Sequence, residues 1–266
     1  MLKKIFMMWI RRLGLMQAFD RVFFLFNKAR FSSKNKRFRK ENPLIKLPPD
    51  YMLYEAYRLD YENYYNDGRN TAEWIREQLS PFITPGPKKI LEWGCGPARI
   101  IRHLPAQFPA SNIHGTDYNI NTIAWCQANI PNVQFSINAV NPPLPYNDGL
   151  FDIVYALSVF THLSGENHSL WINEMHRILK PGSVFLLTTQ GEAFLSKLDS
   201  RERKEFNAGR LVTREQVKEG HRSFSAFHPQ NFMHSLFGNK WKVLKHEPGI
   251  IHHYGPEQDV WIIQKT

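Results

Sequence analysis

The sequence predicts an α/β fold with a doubly wound, mostly parallel sheet, preceded by a helical extension. Short apolar segments alternate with helical segments from residue 89 to residue 189, as expected for parallel strands joined by crossover helices. A glycine-rich turn follows the first apolar segment, and an acidic residue ends the second. The 266 residues, 42% of them hydrophobic, suffice for one sizeable domain and an appendage.

The elements follow a regular order after a tyrosine-rich helical stretch. This stretch covers residues 51–79, is interrupted near residues 66–68 and is ended by prolines at 81, 85 and 87. Strands are predicted at 89–93, 113–117, 133–137, 151–157 and 183–189, and helices at 98–105, 119–129 and 168–179. Three prolines at 142, 143 and 145 exclude a regular helix after the third strand. Beyond residue 190, we expect helices at 192–207, 213–219 and 229–237 and strands at 241–247 and 258–264.

The turn after the first strand has the composition of a cofactor-binding loop. Gly94 and Gly96 allow a sharp turn and a close approach of a ligand, because a Cβ atom would occupy that space. Asp117 ends the second strand, where an acid accepts hydrogen bonds from a ribose in nucleotide sites. Arg99 replaces the third small residue of the dinucleotide fingerprint, and no Gly-Lys-Ser/Thr follows a strand. A dinucleotide-binding fingerprint and a phosphate-binding P-loop are therefore both disfavoured.

The pattern Glu92-x-Gly94-x-Gly96-x-Ala98 resembles the first motif of the class I S-adenosylmethionine-dependent methyltransferases, with Ala98 at a position where glycine is usual. The resemblance continues through 151–156 and 179–184 and covers residues 51–190. It implies a Rossmann-like sheet of seven strands with an antiparallel last strand, and S-adenosylmethionine as cofactor.

The resemblance also implies cofactor contacts. The glycine loop would pass under the amino acid end of the ligand, Asp117 would hold the ribose, Tyr118 would cover the adenine, and Asn138 would meet its edge in place of the usual acid. The full set is Tyr61, Arg69, Glu92, Gly94, Cys95, Gly96, Asp117, Tyr118, Asn138, Ala139, Ala156 and Ser158. The alternatives are an ordinary turn at the glycines and at 138–139, a helix N-cap at Asp117, a surface arginine at 69, and core packing by the tyrosines at 57, 61, 64 and 65.

His162 follows the fourth strand and is the candidate general base, because an imidazole titrates near neutral pH. The alternative is a structural histidine that caps the next helix. Candidate acceptor-binding residues lie in the late segment: His221, Arg222, His228 and Tyr254. No pair among the eleven histidines has a recognised ligand spacing with supporting acids, so no metal is expected.

The positive charge of the chain is concentrated at its N-terminus. Residues 1–41 contain twelve of the 34 Lys and Arg residues and two of the 24 acidic residues, so the net charge of +10 comes from this segment and the remainder is balanced. Apolar residues at 2, 5, 6, 9, 13 and 16 recur at helical spacing. A basic amphipathic arm suits an anionic membrane surface, packing on its own domain or a partner, or a mitochondrial-type presequence, for which two serines are few.

These observations predict a basic amphipathic arm at 1–41, a proline-rich linker at 42–50, and a methyltransferase domain at 51–266, with a helical lid at 51–80 and acceptor-binding elements at 190–255. The predicted function is methyl transfer to a hydroxyl-type acceptor on a small molecule, glycan or lipid-linked precursor. The alternatives are a nucleic-acid methyltransferase that uses the arm, which the neutral domain disfavours, and a catalytically silent cofactor-binding subunit that docks a partner. Two cysteines give no disulfide framework. We therefore expect a cytoplasmic protein, peripheral at the inner face of a membrane if the arm binds lipid.

Overall fold

A computed structural model describes residues 16–57, 59–215, 219–220 and 224–266. The predicted helical pattern of residues 1–15 lies outside the described residues. The chain divides into two compact units, Met1–Asp67 and Gly68–Thr266. No helix in the described part of the chain is both long enough and apolar enough to cross a bilayer.

The N-terminal unit is built on helix α1 (Met16–Glu41), helix α2 (Asp50–Ala56) and the start of helix α3 (Tyr61–Leu79). One side of α1 packs because Phe24, Phe31 and Phe38 recur every seven residues, on one helix face. Asn35 on the same side is buried and fully used: its amide donates to Leu59 O at 3.2 Å, and its Oδ1 accepts from Tyr61 N at 3.1 Å.

Seven strands within the described residues form the main sheet of the second unit, in the order β3-β2-β1-β4-β5-β11-β8. Strands β1 to β5 are parallel, and β11 is antiparallel to both of its neighbours. The predicted doubly wound sheet with an antiparallel last strand is therefore confirmed. Its strands are β1 (Lys89–Trp93), β2 (Asn112–Asp117), β3 (Gln134–Ile137), β4 (Phe151–Ala156), β5 (Leu179–Thr189), β8 (Trp241–Glu247) and β11 (Asp259–Lys265).

Both faces of the sheet are covered, because alternate residues of a strand point to opposite sides. Ile90 belongs to one buried cluster, which includes residues of α3 and of helix α5 (Ile120–Asn129). Leu91 belongs to the other cluster, which includes residues of helices α6 (Gly165–Ile178) and α8 (Gln230–Phe237). The apolar runs of the parallel strands thus reflect burial on two sides.

The interruption predicted near residues 66–68 is wrong, because α3 is continuous from Tyr61 to Leu79. Three predicted helices also differ from the structure. Over 98–105 there are turns, a 3-10 turn at Ile101–His103 and a short helix α4 (Leu104–Gln107). Ala98 has φ of 61°, outside the helical region, and Pro105 has no amide hydrogen to continue a helix from residue 98. The predicted helix at 192–207 is divided into a 3-10 helix at Glu192–Lys197 and helix α7 (Ser200–Asn207), because Asp199 forms a capping box at the start of α7.

The predicted helix at 213–219 is wrong over its described start. Val212–Arg214 forms strand β6, which pairs antiparallel with β7 (Ser225–Phe227). The β-branched Val212 and Thr213 favour that extended conformation. The pairing partners of β6, eleven to fifteen positions later, were not visible in the local pattern. A short hairpin of β9 (Ile251–His252) and β10 (Gly255–Pro256) was not predicted. The crossover 138–150 contains no helix, as expected from its prolines.

Candidate cofactor and acceptor site

The glycine loop is tied to the end of the second strand. Gly94 N and Cys95 N both donate to Thr116 O, at 2.8 and 2.9 Å. Gly94 has φ of 78°, and a Cβ atom built there would lie 2.6 Å from Val159 Cγ2. Only glycine therefore allows the loop to pass so close to the segment after β4. Burial raises the pKa of the Cys95 thiol, so this side chain stays neutral within the loop.

Asp117 is held at the end of β2 by two backbone amides. Gly96 N donates to its Oδ2 at 3.0 Å, and Asn119 N donates to its Oδ1 at 2.9 Å. Burial raises the pKa of Asp117, while these amide donors act in the opposite direction. The N-cap of α5 is Asn119, whose Oδ1 accepts from Asn121 N and Thr122 N. Asn119, and not Asp117, is therefore the cap of this helix.

Glu92 is a buried carboxyl group next to this loop. Its Oε2 and the hydroxyl of Tyr155 form no hydrogen bond of ordinary geometry among the described residues, although the Tyr155 hydroxyl lies close enough to stabilise the carboxylate. Burial raises the pKa of Glu92 to about 8, although the positive charge of Arg99 acts to lower it. A buried carboxyl oxygen without a partner favours a ligand group that donates hydrogen bonds or carries positive charge, and S-adenosylmethionine carries both an ammonium and a sulfonium.

The residues assigned to the adenine lie at the ends of β2 and β3. Asn138 N donates to Asp117 O at 3.2 Å. The side-chain amide of Asn138 donates to Ala139 O at 2.7 Å, while its buried Oδ1 has no partner among the residues that the structure describes. That oxygen is an acceptor suited to an amino group such as the one on adenine. Tyr118 is half-exposed and donates from its hydroxyl to Gly220 O at 3.2 Å.

A polar cluster lies where β4 and β5 end. Ala156 is the buried last residue of β4, and Ser158 adopts φ of 61° two residues later. Ser158 N donates to Thr188 Oγ1 at 2.9 Å. The hydroxyls of Ser158 and Thr188 both donate to Gln258 Oε1, at 3.0 and 2.6 Å. Sequence reasoning missed Thr188 and Gln258, although both stand at the ends of predicted strands.

His162 ends the 3-10 turn Phe160–His162 that follows β4. Its Nδ1 lies 2.8 Å from Phe224 O, which can only accept, so Nδ1 carries the proton and Nε2 is the basic nitrogen of the neutral ring. Its backbone oxygen accepts from Gly220 N at 3.0 Å. The N-cap of α6 is Ser164, so His162 does not cap that helix.

His228 is fully buried beside a second histidine that the sequence did not single out. The Nε2 atoms of His168 and His228 lie 2.9 Å apart, and His168 Nδ1 lies 2.7 Å from Ser164 O. Burial lowers the pKa of both rings, that of His168 to about 4. A role of His228 in contacting an acceptor therefore stays a prediction, while its packing against His168 is observed.

The other predicted site residues lie in varied surroundings. His221 and Arg222 are outside the described residues. Tyr254 is exposed and stacks on His252 at 4.7 Å. Tyr61 belongs to the core of the N-terminal unit, where its hydroxyl donates to Asp50. Arg69 is exposed on α3.

Gly68, which precedes Arg69, brings α3 into close contact with the turn after the glycine loop. A Cβ atom built at Gly68 would lie 1.9 Å from Arg99 O. A larger residue at 68 would therefore displace backbone. Close packing against Arg99 therefore explains the glycine of the predicted element Gly68-Arg69.

A cavity of about 600 Å³ lies away from these residues. It is open, and its lining includes Asn173, Arg177, Lys240 and Lys265, at the amino ends of the parallel strands. Ligands of open α/β sheets bind at the carboxyl ends, which favours the predicted cofactor site at the glycine loop over this depression. No cluster of three or more His, Cys, Asp or Glu residues in the described part could hold a metal.

Residues 91–187 match the family model of a methyltransferase domain. A probable S-adenosylmethionine-dependent methyltransferase of Mycolicibacterium smegmatis is 31% identical over 134 residues, which are 47% of this chain and 49% of that protein. A fatty-acid O-methyltransferase of the same organism is 31% identical over 103 residues, 38% of this chain and 36% of its own. The crystal structure of a S-adenosylmethionine-dependent methyltransferase from Methanosarcina mazei has a TM-score of 0.55 at 18% identity, covering 71% of this chain and 96% of that one.

The first curated relatives match over about half of their own length, so they establish the domain and not the acceptor. The matched segment contains the glycine loop, Asp117 and the end of β4. The unpartnered oxygens of Glu92 and Asn138 fit the cationic and amino groups of S-adenosylmethionine. The sequence match over residues 91–187, the sheet order and the loop geometry indicate a methyltransferase domain of the class I S-adenosylmethionine-dependent type.

Proposed function

We propose that this protein transfers a methyl group from S-adenosylmethionine to a hydroxyl-type oxygen on a small molecule, a glycan or a lipid-linked precursor, with His162 as general base. The observation that carries the proposal is the hydrogen bond between His162 Nδ1 and Phe224 O, at 2.8 Å. It leaves the basic Nε2 on a residue that follows β4, at the edge of the sheet where Asp117 and the glycine loop also lie.

In this proposal, one group of residues binds the cofactor and another orients and deprotonates the acceptor. The cofactor supplies a methyl group that is already activated on a sulfonium. Glu92, Asp117 and Asn138 provide acceptors for its ammonium, ribose hydroxyl and adenine amino groups. Holding two reactants in the correct orientation accounts for roughly 7–11 kcal/mol of a barrier. Removal of the hydroxyl proton by His162 adds a factor of roughly 10²–10⁴.

A lipid-type acceptor is favoured within this class for two reasons. One of the relatives is named a fatty-acid O-methyltransferase, so its domain serves an oxygen acceptor on a lipid. The positive charge of this chain is concentrated in residues 1–41, where it can attract anionic lipid. The charge balance of the remainder argues against a nucleic-acid acceptor, whose phosphates require basic residues near the reacting groups.

Calorimetric titration with S-adenosylmethionine and with its demethylated product tests the cofactor part. We expect micromolar binding of both by the wild type, and loss of binding in Asp117→Ala. The matched control is Glu166→Ala, because Glu166 is an exposed acid in the first turn of α6. A folded wild-type protein that binds neither compound would refute the proposal.

Turnover of radiolabelled cofactor with lipid and polar fractions of a cell extract tests the acceptor part. We expect His162→Gln to bind the cofactor as the wild type does and to lose roughly 10²–10⁴-fold in turnover. His234→Gln, a change at an exposed histidine of α8, serves as the control. Full activity in His162→Gln would exclude the base, and cofactor binding without turnover in any fraction would favour a silent subunit.

A further inference from the structure

The solvent-facing side of α1 carries an apolar patch and a basic patch in succession along the helix. Val22, Leu25 and Phe26 are 66%, 61% and 61% exposed. Lys36, Arg37 and Lys40, about three to five turns further along, are also exposed. With 3.6 residues per turn these positions share one side of the helix, and Phe24, Phe31 and Phe38 pack into the unit on the other.

The basic patch is distinct from the basic residues that hold the N-terminal unit together. Lys28 pairs with Asp50 at 3.0 Å, and Lys34 pairs with Asp60 at 2.8 Å. In the described residues, none of the basic patch residues Lys36, Arg37 and Lys40 takes part in an ion pair. Their charge is therefore available for an external anionic surface.

We propose that this side of α1 binds the surface of an anionic lipid bilayer. Val22, Leu25 and Phe26 would enter the interfacial region, and the basic patch would face the headgroup phosphates. An aliphatic and aromatic patch of this kind gains nothing on a phosphate backbone but is stabilised among acyl chains. The helix lies on the surface, since no helix in the described part is long and apolar enough to span the membrane.

The two patches contribute in ways that an experiment can separate. Each Lys or Arg near an anionic surface strengthens binding about fivefold, and this part is weakened by salt. Apolar insertion is insensitive to salt. Neutralising the basic patch should therefore weaken binding by at least tenfold and lower its salt dependence, while removing the apolar patch should weaken binding and leave the salt dependence in place.

Co-sedimentation of the full chain with vesicles tests the proposal. The vesicles are phosphatidylcholine alone and phosphatidylcholine mixed with phosphatidylglycerol. The variants are Leu25→Ser with Phe26→Ser, and Lys36→Gln with Arg37→Gln and Lys40→Gln. The apolar control is Leu44→Ser, because Leu44 is 90% exposed outside α1. The charge control is Arg201→Gln with Lys204→Gln and Lys242→Gln, which are exposed residues of the second unit.

We expect the wild type and both controls to bind the vesicles that contain phosphatidylglycerol and not those of phosphatidylcholine alone. Both test variants should bind the mixed vesicles at least tenfold more weakly. Circular dichroism and the unfolding temperature show that each variant is folded. Binding that ignores phosphatidylglycerol, or equal binding by the test variants, would overturn the proposal. Absence of vesicle binding, with a dimer of the wild type that Phe26→Ser dissociates, would assign the surface to a second copy of the chain instead. None of these outcomes depends on methyl transfer.

Discussion

The Nε2 atom of His168 lies 2.9 Å from the Nε2 atom of His228, in the interior next to the turn that carries His162. The ring of His168 also lies 5.4 Å from the ring of Phe160, which begins that turn. Two neutral rings can share this contact, because one Nε2 donates and the other accepts. Two protonated rings cannot, since both nitrogens would then be donors.

We therefore expect acid to destabilise the protein through this pair. Burial lowers the pKa of His168 from 6.5 to about 4, so the unfolded chain binds more protons than the folded one between these values. The contribution is fully present above pH 6.5 and is lost as the pH falls; between pH 7 and pH 5 it amounts to about 2 kcal/mol. Urea unfolding at both pH values, compared with His168→Gln, measures it. An equal fall in unfolding free energy between pH 7 and pH 5 in His168→Gln would show that His168 is not the source of the acid sensitivity.

Glu92 predicts a dependence of cofactor binding on pH. Its pKa of about 8 keeps the carboxyl protonated at neutral pH. A cationic ligand beside it favours the carboxylate, so binding should release a proton and strengthen as the pH rises from 6 to 8. Calorimetry in two buffers of different ionisation enthalpy counts that proton. Glu92→Gln should bind without proton release, and unchanged release in that variant would contradict the assignment.

Gly94→Ala should weaken cofactor binding by more than tenfold. The new methyl group would lie 2.6 Å from Val159 Cγ2, on a backbone with φ of 78°. Gly182→Ala is the matched control, because Gly182 has φ of 76° with open space around it, and it should cost only about 1 kcal/mol of unfolding free energy. Titration calorimetry on both variants separates the effect of backbone strain at positive φ from the effect of the steric contact with Val159. Partial recovery in Gly94→Ala with Val159→Ala is expected, and no recovery would show that the collision is not the cause.

Gln258 should orient the segment after β4. Its Oε1 accepts from the hydroxyls of Ser158 and Thr188. Gln258→Leu leaves both hydroxyls without this acceptor and should lower the unfolding free energy by about 1–3 kcal/mol, and turnover should fall with it. Gln258→Glu keeps an acceptor oxygen and should retain most of both. Chemical denaturation and kcat measurements on the two variants check this, and equal values in both variants would argue against an orienting role.

Local sequence patterns were sufficient for the strands and the cofactor loop. The bounds of β1 and β8 agree with prediction to the residue, because each strand has a continuous local pattern. The helix at 98–105 was wrong because its residues had helical spacing, while Pro105 and the left-handed Ala98 exclude a helix. Thr188, Gln258 and His168 were missed for a different reason. Their hydrogen-bond partners lie 30 to 100 positions away in the sequence, and only the fold brings them together.

Strand β11 runs antiparallel to its neighbours, and this direction determines which edge of the sheet its first residue reaches. Asp259 pairs with Thr189, so β11 begins at the edge where the parallel strands end. Gln258, the residue before it, therefore arrives beside Ser158 from a different part of the chain than the glycine loop. Two segments that are distant in sequence supply the two halves of the site. Under the proposed function, we expect substitutions at and near Gln258 to alter the choice of acceptor while Gly94 and Asp117 continue to hold the same cofactor.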